Sequence, residues 1–211
     1  MVDRAGETGV PAVRVWTPGR QLAFGRRDTR ADGYEAARDA AAAHAFPPVE
    51  RSVGGRAVAY AETTLAFAHA VPTDGDRTGL DDRYETAVDT VVDALRAVDA
   101  SVTRGEPADS YCPGDYSVRA VEGGKVAGIA QRVRKGAALV AGSVTVAERD
   151  AIRAVLADVY DHLAVAFAPD SVGSVAAAGG PAEPRPVRRA LESALVDDRE
   201  RTLRDVTELA E

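Results

Sequence analysis

The stretch from Asp109 to Arg132 reads DSYCPGDYSVRAVEGGKVAGIAQR. It holds the single cysteine of the chain, Cys112, and one of its two lysines, Lys125. Because arginine carries nearly all the other positive charge, each lysine is more informative here than in an average sequence. The segment therefore places a thiol and an amine within one hairpin-length stretch.

Three strands are predicted in and after this stretch, at Tyr116–Ala120, Lys125–Val133 and Ala137–Val144. The breaks between them, at residues 122–124 and 134–136, contain glycine and are typical of hairpin turns. Residues 109–115, which contain Cys112, have the composition of a turn and predict a loop ahead of the first strand.

Upstream, alternating apolar residues predict strands, and apolar residues at helical spacing predict helices. The predicted strands are Ala12–Trp16, Gln21–Phe24, the segment after the Gly54-Gly55 bend, and Thr64–Val71. The predicted helices are Gly33–Ala45 and Leu80 to about Ala100. Residues Thr103–Asp109 are expected to be a connector.

Downstream, Thr145 is expected to begin a helix, with Glu148 three residues later completing a capping box. Residues 164–186 are rich in Ala, Gly and Pro and predict a loop. A further helix is expected around Val187–Leu195, and a last short acidic helix after Asp197. Groups of consecutive strands separated by helices predict an α+β fold with mixed or antiparallel sheets flanked by helices.

Length and charge narrow the class of protein. The 211 residues and the absence of a low-complexity linker predict a single domain over residues 1–211, with its core at about 12–197. A net charge of −7 argues against general nucleic-acid binding, which depends on neutralising phosphates. No apolar run approaches the length of a membrane span, and the N-terminus does not resemble a signal peptide. A lone cysteine excludes an internal disulfide and favours a reducing, cytoplasmic compartment.

Cys112 has two interpretations. A lone cysteine is often a small buried hydrophobic residue. However, its turn-like surroundings also suit a thiolate nucleophile, which is activated when a cation lies nearby.

Lys125 also has two interpretations. It can be a solvated lysine at a strand end, or a positioned ammonium that binds a carbonyl or phosphate oxygen. The glycines around it, Gly123, Gly124 and Gly128, would let a ligand approach the backbone closely.

A second glycine-rich bend, Gly54-Gly55, follows Arg51 and leads into Ala57-Val58. It can be a simple bend, or it can hold a carboxylate or phosphate through backbone N–H groups. It is neither a P-loop nor a dinucleotide fingerprint, because no Gly-Lys-Ser/Thr follows and a strand, not a helix, comes next.

Other kinds of site find no support. His44, His69 and His162 lack ligand spacing, so no zinc or other metal site is predicted. No Ser-His-Asp arrangement is readable, and the scattered carboxylates of an acidic chain are given no acid–base role.

Taken together, these segments resemble the catalytic domain shared by lipoate–protein ligases, octanoyltransferases and biotin ligases, over about Trp16 to Leu195. The first motif of that family has an arginine, a glycine bend and Ala-Val, for which Arg51, Gly54-Gly55 and Ala57-Val58 stand here. The second is similar to GKVAGIAQR, residues 124–132. The resemblance implies that Arg51, Gly54, Gly55, Ala57, Val58, Gly124, Gly128 and Ala130 bind substrate. It also implies that Lys125 contacts the acyl carbonyl or an acyl-adenylate.

The segment Tyr111–Tyr116 looks like the cysteine-dependent branch of that family, the octanoyltransferases and amidotransferases, in which a thiol precedes the lysine motif. This implies transfer of a lipoyl or octanoyl group through a Cys112 thioester to a lysine of an acceptor lipoyl domain. The implied partners are the glycine-cleavage H protein and the E2 lipoyl domains of 2-oxo acid dehydrogenases. No tightly bound cofactor is expected on this route.

Two alternatives remain open. An ATP-dependent ligase would hold lipoyl-AMP with Lys125 and would need ATP and Mg²⁺; against it, Tyr60-Ala61 and Ala141-Gly142 stand where ligases usually show His-Asp and His-Gly. The other alternative is a family member without catalytic activity that binds lipoyl domains.

Overall fold

The computed structural model describes residues 1–52, 55–73, 79–196 and 200–205. These ranges contain nine β-strands and five α-helices. All statements about structure below concern these ranges. Gly54, predicted to bind substrate, lies outside them, as do residues 198–199 and 206–211 of the predicted last helix.

The larger of two sheets has six strands, and every neighbouring pair in it is antiparallel. Its strands are β1 (Ala12–Trp16), β5 (Leu65–Pro72), β6 (Val102–Arg104), β7 (Ser117–Ala120), β8 (Lys125–Arg134) and β9 (Ala137–Val144). Their order across the sheet is β1-β5-β9-β8-β7-β6. The three strands predicted around Lys125 are thus the neighbours β9, β8 and β7 in the interior of this sheet.

The smaller sheet is mixed, and it supplies the glycine bend. Its strands are β2 (Gln21–Phe24), β3 (Pro48–Glu50) and β4 (Val58–Tyr60). The central strand β2 runs parallel to β3 and antiparallel to β4. The connection from β3 to β4 contains Arg51 and Gly55.

The helices are α1 (Val2–Thr8), α2 (Tyr34–Ala43), α3 (Leu80–Arg96), α4 (Arg149–His162) and α5 (Pro184–Val196). Three hydrophobic clusters result from their packing in the described residues, and two of them are large. One is shared by the large sheet, α3 and α5, with Phe67 and Leu95 fully buried in it. The other is shared by the small sheet, α2 and α4, with Phe24 and Tyr160 buried. Within the described residues, no helix combines the length and apolarity needed to cross a bilayer.

The predicted α+β class, with mixed and antiparallel sheets flanked by helices, is confirmed. The predicted strands Ala12–Trp16, Gln21–Phe24 and Ala137–Val144 have the observed bounds. Three elements were not predicted: α1, β3 and β6. β6 replaces part of the connector expected at Thr103–Asp109.

The capping box predicted at Thr145 is wrong. The helix begins at Arg149, and Glu148 at its N-cap makes no side-chain cap. The Thr145 main chain instead donates to the Val126 carbonyl and accepts from Val175. The Glu148 carboxylate is already bound by Arg20 and Thr63, so it is not available to cap the helix.

The last acidic helix is also not found where it can be checked. Residues 200–205 have no regular secondary structure and are exposed. The helix predicted around Val187–Leu195 is confirmed as α5, although it begins at Pro184, inside the predicted loop. Proline at a first helical position is favourable because its missing N–H needs no partner there.

Candidate active site

Cys112 lies in a tight loop whose backbone is in an unusual conformation. Its φ is +41°, and that of Asp109 is +48°. A non-glycine residue with positive φ is uncommon and needs surrounding contacts to hold it. The side chain is only partly buried. The bland interpretation of Cys112, a small residue in the core, therefore does not describe its position.

The contacts that hold this loop come from α4 and from the segment after it. The Cys112 N–H donates to the Tyr160 hydroxyl at 2.7 Å, and that hydroxyl donates to the Ala57 carbonyl at 3.0 Å. At the start of the loop, the Asp109 carbonyl accepts a hydrogen bond from the Ala168 N–H at 2.8 Å. Tyr160 thus ties the cysteine backbone to the strand that follows the glycine bend.

Lys125 is buried, with 4% of its side chain exposed, so the interpretation of a solvated strand-end lysine is wrong. Its ammonium donates to the carbonyls of Cys112, at 3.0 Å, and Tyr111, at 3.3 Å. It also pairs with Glu106 Oε1 at 3.0 Å. The two residues singled out in the sequence are therefore in direct contact, through the carbonyl of one and the ammonium of the other.

The strand position of Lys125 is fixed by close backbone packing. Lys125 forms a parallel bridge with Val172, and the Gly173 N–H donates to its carbonyl at 2.9 Å. A Cβ on Gly124 would lie 2.4 Å from the Ser171 carbonyl. Gly124 thus lets two backbone segments approach each other, which is a structural reason for glycine beside Lys125.

Gly128 makes room for the lysine itself. A Cβ at this position would lie 3.1 Å from Lys125 Cε. The close approach predicted at Gly128 is present, and the group that comes close is the lysine stem. Ala130, two residues further along β8, is exposed and lies opposite Ala141, outside the contacts that join Cys112, Lys125 and Arg51.

The glycine bend meets the cysteine from the small sheet. Arg51 Nη2 donates to Cys112 Sγ at 3.5 Å and also to the Arg56 carbonyl. A Cβ on Gly55 would lie 3.2 Å from the same sulfur. The sulfur is thus flanked by a guanidinium that is always charged and by glycine backbone.

Ala57 and Val58 support the site from behind. Both are buried in the hydrophobic cluster of the small sheet, and the Ala57 carbonyl accepts the Tyr160 hydrogen bond. Of the predicted binding residues, Arg51 and Gly55 reach the sulfur, while Ala57 and Val58 position what holds it.

Three tyrosines surround the cysteine: Tyr111 and Tyr160 are buried, and Tyr60 is partly buried. The pKa of Tyr60 is raised, and burial is the largest cause. The Arg51 guanidinium opposes this shift, and Coulomb repulsion from Cys112 adds to it. Burial likewise raises the pKa values of Tyr111 and Tyr160. These phenols therefore stay protonated at neutral pH and act as hydrogen-bonding groups, not as bases.

Glu106 was missed by the sequence reasoning, which gave no carboxylate a role. It is paired with Lys125, and its second oxygen, Oε2, is buried without a hydrogen-bond partner in the described part of the chain. No spacing or motif distinguishes it among the 33 acidic residues. No group of three or more potential metal ligands occurs in the described ranges.

The arrangement can perform nucleophilic chemistry on a carbonyl. It combines a partly exposed thiol, a guanidinium at the sulfur and a buried ammonium that is hydrogen-bonded to the Cys112 carbonyl. Cationic surroundings favour the thiolate form of a cysteine. Positioned N–H donors stabilise the negative oxygen that develops when a carbonyl is attacked.

Comparison with protein families gives an independent result. The family described as "Lipoyl protein ligase A/B catalytic domain" matches residues 2–194. The chain is 33% identical over 129 residues to an octanoyl-[GcvH]:protein N-octanoyltransferase of Exiguobacterium sibiricum, covering 61% of this chain and 46% of that protein. It is 27% identical over 128 residues to a lipoyl-[GcvH]:protein N-lipoyltransferase of Listeria monocytogenes, covering 60% and 46%. The match spans about half the length of these curated relatives.

Solved structures show the same fold. A Thermoplasma acidophilum protein with bound lipoic acid superposes with a TM-score of 0.71 at 21% identity, covering 99% of this chain and 84% of that one. Lipoate-protein ligase A bound with ATP gives a TM-score of 0.69 at 23% identity, covering 94% and 78%. At these identities the likeness establishes the fold alone.

Proposed function

This chain belongs to the lipoyl protein ligase A/B catalytic domain family, and from that premise we propose that it is an acyltransferase acting through a Cys112 thioester. It moves a lipoyl or octanoyl group from a donor to a lysine of an acceptor lipoyl domain. The observation that carries the proposal is the placement of Cys112 between two cations, with Arg51 at its sulfur and Lys125 at its carbonyl.

The first half-reaction loads the cysteine. The Cys112 thiolate, stabilised by Arg51, attacks the acyl carbonyl carbon of the donor, so that a C–S bond forms. The bond from that carbon to the donor breaks, and the donor group takes a proton from solvent as it leaves. The backbone N–H groups beside Gly55 are the donors proposed for the developing oxyanion, and Lys125 can join them once one of its three acceptors is exchanged.

The second half-reaction unloads it. The neutral ε-amine of the acceptor lysine attacks the thioester carbon, the C–N bond forms and the C–S bond breaks. The electron pair of the C–S bond returns to the Cys112 sulfur, which takes up the proton that the attacking nitrogen loses. Loss of that proton to solvent then restores the thiolate beside Arg51.

The names of the relatives support the choice of partners. The Exiguobacterium and Listeria proteins are named as transferases from the H protein GcvH to other proteins. We therefore propose the glycine-cleavage H protein as a donor or acceptor and E2 lipoyl domains as acceptors. We also propose a cytoplasmic location, a single domain over residues 1–211, and no requirement for ATP, Mg²⁺ or a tightly bound cofactor.

The test is to mix the protein, without ATP, with octanoylated H protein and an unmodified E2 lipoyl domain. We expect a hydroxylamine-labile octanoyl adduct on Cys112 by mass spectrometry, followed by octanoyl transfer to the lipoyl domain. Cys112→Ala should lose at least about 10³-fold in rate, because no nucleophile replaces the thiolate. Ser110→Ala, two residues away, is the matched control and should retain activity.

Three outcomes would contradict the proposal. Full activity of Cys112→Ala would remove the thioester. A strict requirement for ATP, with pyrophosphate release, would favour the ligase alternative. Binding of the lipoyl domain without an adduct or turnover would favour a non-catalytic binding protein.

A further inference from the structure

Glu106 is the carboxylate at the candidate active site. Its Oε1 lies 3.0 Å from the Lys125 ammonium, and 21% of the Glu106 side chain is exposed against 4% for Lys125. The same ammonium lies 3.0 Å from the Cys112 carbonyl. Glu106 and the nucleophile loop are therefore both within reach of one lysine ammonium.

The second oxygen of this carboxylate carries the inference. Oε2 is buried, and none of the described residues donates a hydrogen bond to it. An ionised carboxylate accepts bonds at both oxygens, and a buried acceptor left without a donor is unfavourable. Such a group in a native structure needs a reason, and a role in binding or catalysis is one.

The position of Glu106 is built into the local fold. Gly105 has φ +134°, which side-chain-bearing residues rarely adopt, and its N–H donates to the Ser117 carbonyl at 3.0 Å. Before it, Arg104 is bound to Glu85 and Asp89 of α3. A sharp turn at Gly105 thus places Glu106 beside Lys125. The ion pairs of Arg104 with α3 hold the strand before that turn.

The Lys125 ammonium has no hydrogen to spare in this arrangement. An ammonium has three donors, and the three acceptors are Glu106 Oε1 and the carbonyls of Tyr111 and Cys112. A substrate carbonyl can bind Lys125 only if one of these acceptors is exchanged. The contact with Glu106 can be exchanged if another cation replaces the Lys125 ammonium at the Glu106 carboxylate.

We propose that Glu106 binds the attacking lysine of the acceptor protein, with Oε2 accepting a hydrogen bond from its ε-ammonium. This assignment rests on the proposed acyl transfer. Arrival of the second ammonium lets Glu106 release Lys125, which frees one N–H for the thioester carbonyl. Acceptor binding and polarisation of the thioester are thereby coupled.

The proton balance follows from this contact. The acceptor ammonium gives one proton to the Glu106 carboxylate, and the resulting neutral amine forms the C–N bond with the thioester carbon. The C–S bond breaks with its electron pair going to the Cys112 sulfur. The second amine proton goes to that sulfur, and Glu106 passes its proton to solvent, so this half-reaction releases one proton and leaves Cys112 as the thiol.

The experiment separates the two half-reactions in single turnovers. Glu106→Gln keeps the shape of the side chain and removes its charge, and Glu122→Gln, in the exposed turn before Lys125, is the matched control. Octanoylated H protein loads Cys112, and the loaded enzyme is then mixed either with an E2 lipoyl domain or with hydroxylamine. Hydroxylamine is a neutral nucleophile at pH 7 and does not need a carboxylate to bind it.

We expect Glu106→Gln to load Cys112 at least as fast as wild type, and to transfer the octanoyl group to the lipoyl domain at least about 10-fold more slowly. Its reaction with hydroxylamine should be unchanged, and Glu122→Gln should match wild type in every step. Glu106→Asp, which keeps the charge, should recover part of the transfer rate and serves if Glu106→Gln does not fold.

Two results would overturn the assignment. Equal transfer rates for wild type and Glu106→Gln would show that Oε2 does not bind the amine. Slower loading together with slower transfer would show that Glu106 acts only by holding Lys125. Failure of the wild type itself to form an adduct would instead contradict the proposed function, so the two failures are distinguishable.

Discussion

At the scale of single residues, Arg51 brings a permanent positive charge to the Cys112 sulfur. We predict that Arg51→Met, which keeps the bulk and removes the charge, slows alkylation of Cys112 by iodoacetamide at pH 7 by about 10-fold. This factor corresponds to about 1.4 kcal/mol of lost thiolate stabilisation. The measurement is the second-order rate of alkylation, with Cys112 as the only thiol in the chain.

The control for this prediction is Arg188→Met, because Arg188 is an exposed arginine of α5 paired with Glu192. It should alkylate like wild type. If Arg51→Met only loosened the fold, the sulfur would become more accessible and alkylation would become faster. An unchanged or faster rate would therefore count against a role of Arg51 at the sulfur.

The sequence could identify Cys112 and Lys125 because each is rare in this chain. It could not show that Lys125 is buried, since the burial comes from Tyr111 and from Val172, which lies far along the chain. It could not identify Glu106 either. A carboxylate in an acidic chain becomes distinctive only when the fold places it beside a buried ammonium.

At the scale of elements, the close contact between β8 and the segment at Ser171–Gly173 sets the position of Lys125. We predict that Gly124→Ala destabilises the protein by about 1–3 kcal/mol, because a Cβ would lie 2.4 Å from the Ser171 carbonyl. The measurement is urea unfolding. Cys112 loading should also slow, since the strand must shift to relieve the clash.

Gly114→Ala is the matched substitution for this prediction, because it lies in the Cys112 loop with open space at its Cβ position. It should change the free energy of unfolding by less than about 0.5 kcal/mol. Equal effects of the two substitutions would mean that packing against residues 171–173 does not position β8.

The elements that the sequence predicted well are those with a local signal. The hairpin strands and α3 have alternating or helical patterns and clear turn residues. β3 and β6 have three residues each and exist only because a partner strand pairs with them. The capping box fails for the same reason. The Glu148 carboxylate is bound by Arg20 and Thr63, both of which lie far from it in the sequence.

At the scale of the whole molecule, the site is assembled between the two sheets. The small sheet supplies Arg51 and Gly55, the large sheet supplies Lys125, and the tyrosine on α4 holds the loop between them. Neither sheet alone brings the thiol to its two cations. Stability of the packing around α4 and the small sheet is therefore expected to govern whether the site exists.

That packing contains four tyrosines whose pKa values are raised, which makes it sensitive to high pH. Burial is the largest cause at Tyr34, Tyr60, Tyr111 and Tyr160, and the pKa of Tyr34 is raised to about 12 with help from its hydrogen bond to Glu50. A folded-state pKa above the unfolded value of about 10 means that the unfolded state loses its protons first. The stabilisation is thus complete below about pH 10 and is lost as the pH rises above it.

We predict that the free energy of unfolding falls steeply above about pH 10, and that ionisation of these phenols, read at 295 nm, coincides with loss of far-UV circular dichroism. Tyr34→Phe should make the fall between about pH 10 and 12 shallower, by up to about 1.4 kcal/mol per pH unit, because one titrating group is removed. Complete phenol titration near pH 10 with intact circular dichroism would contradict the burial of these groups. A coincident transition would show that the tyrosines around Cys112 ionise only when the support of the site is lost.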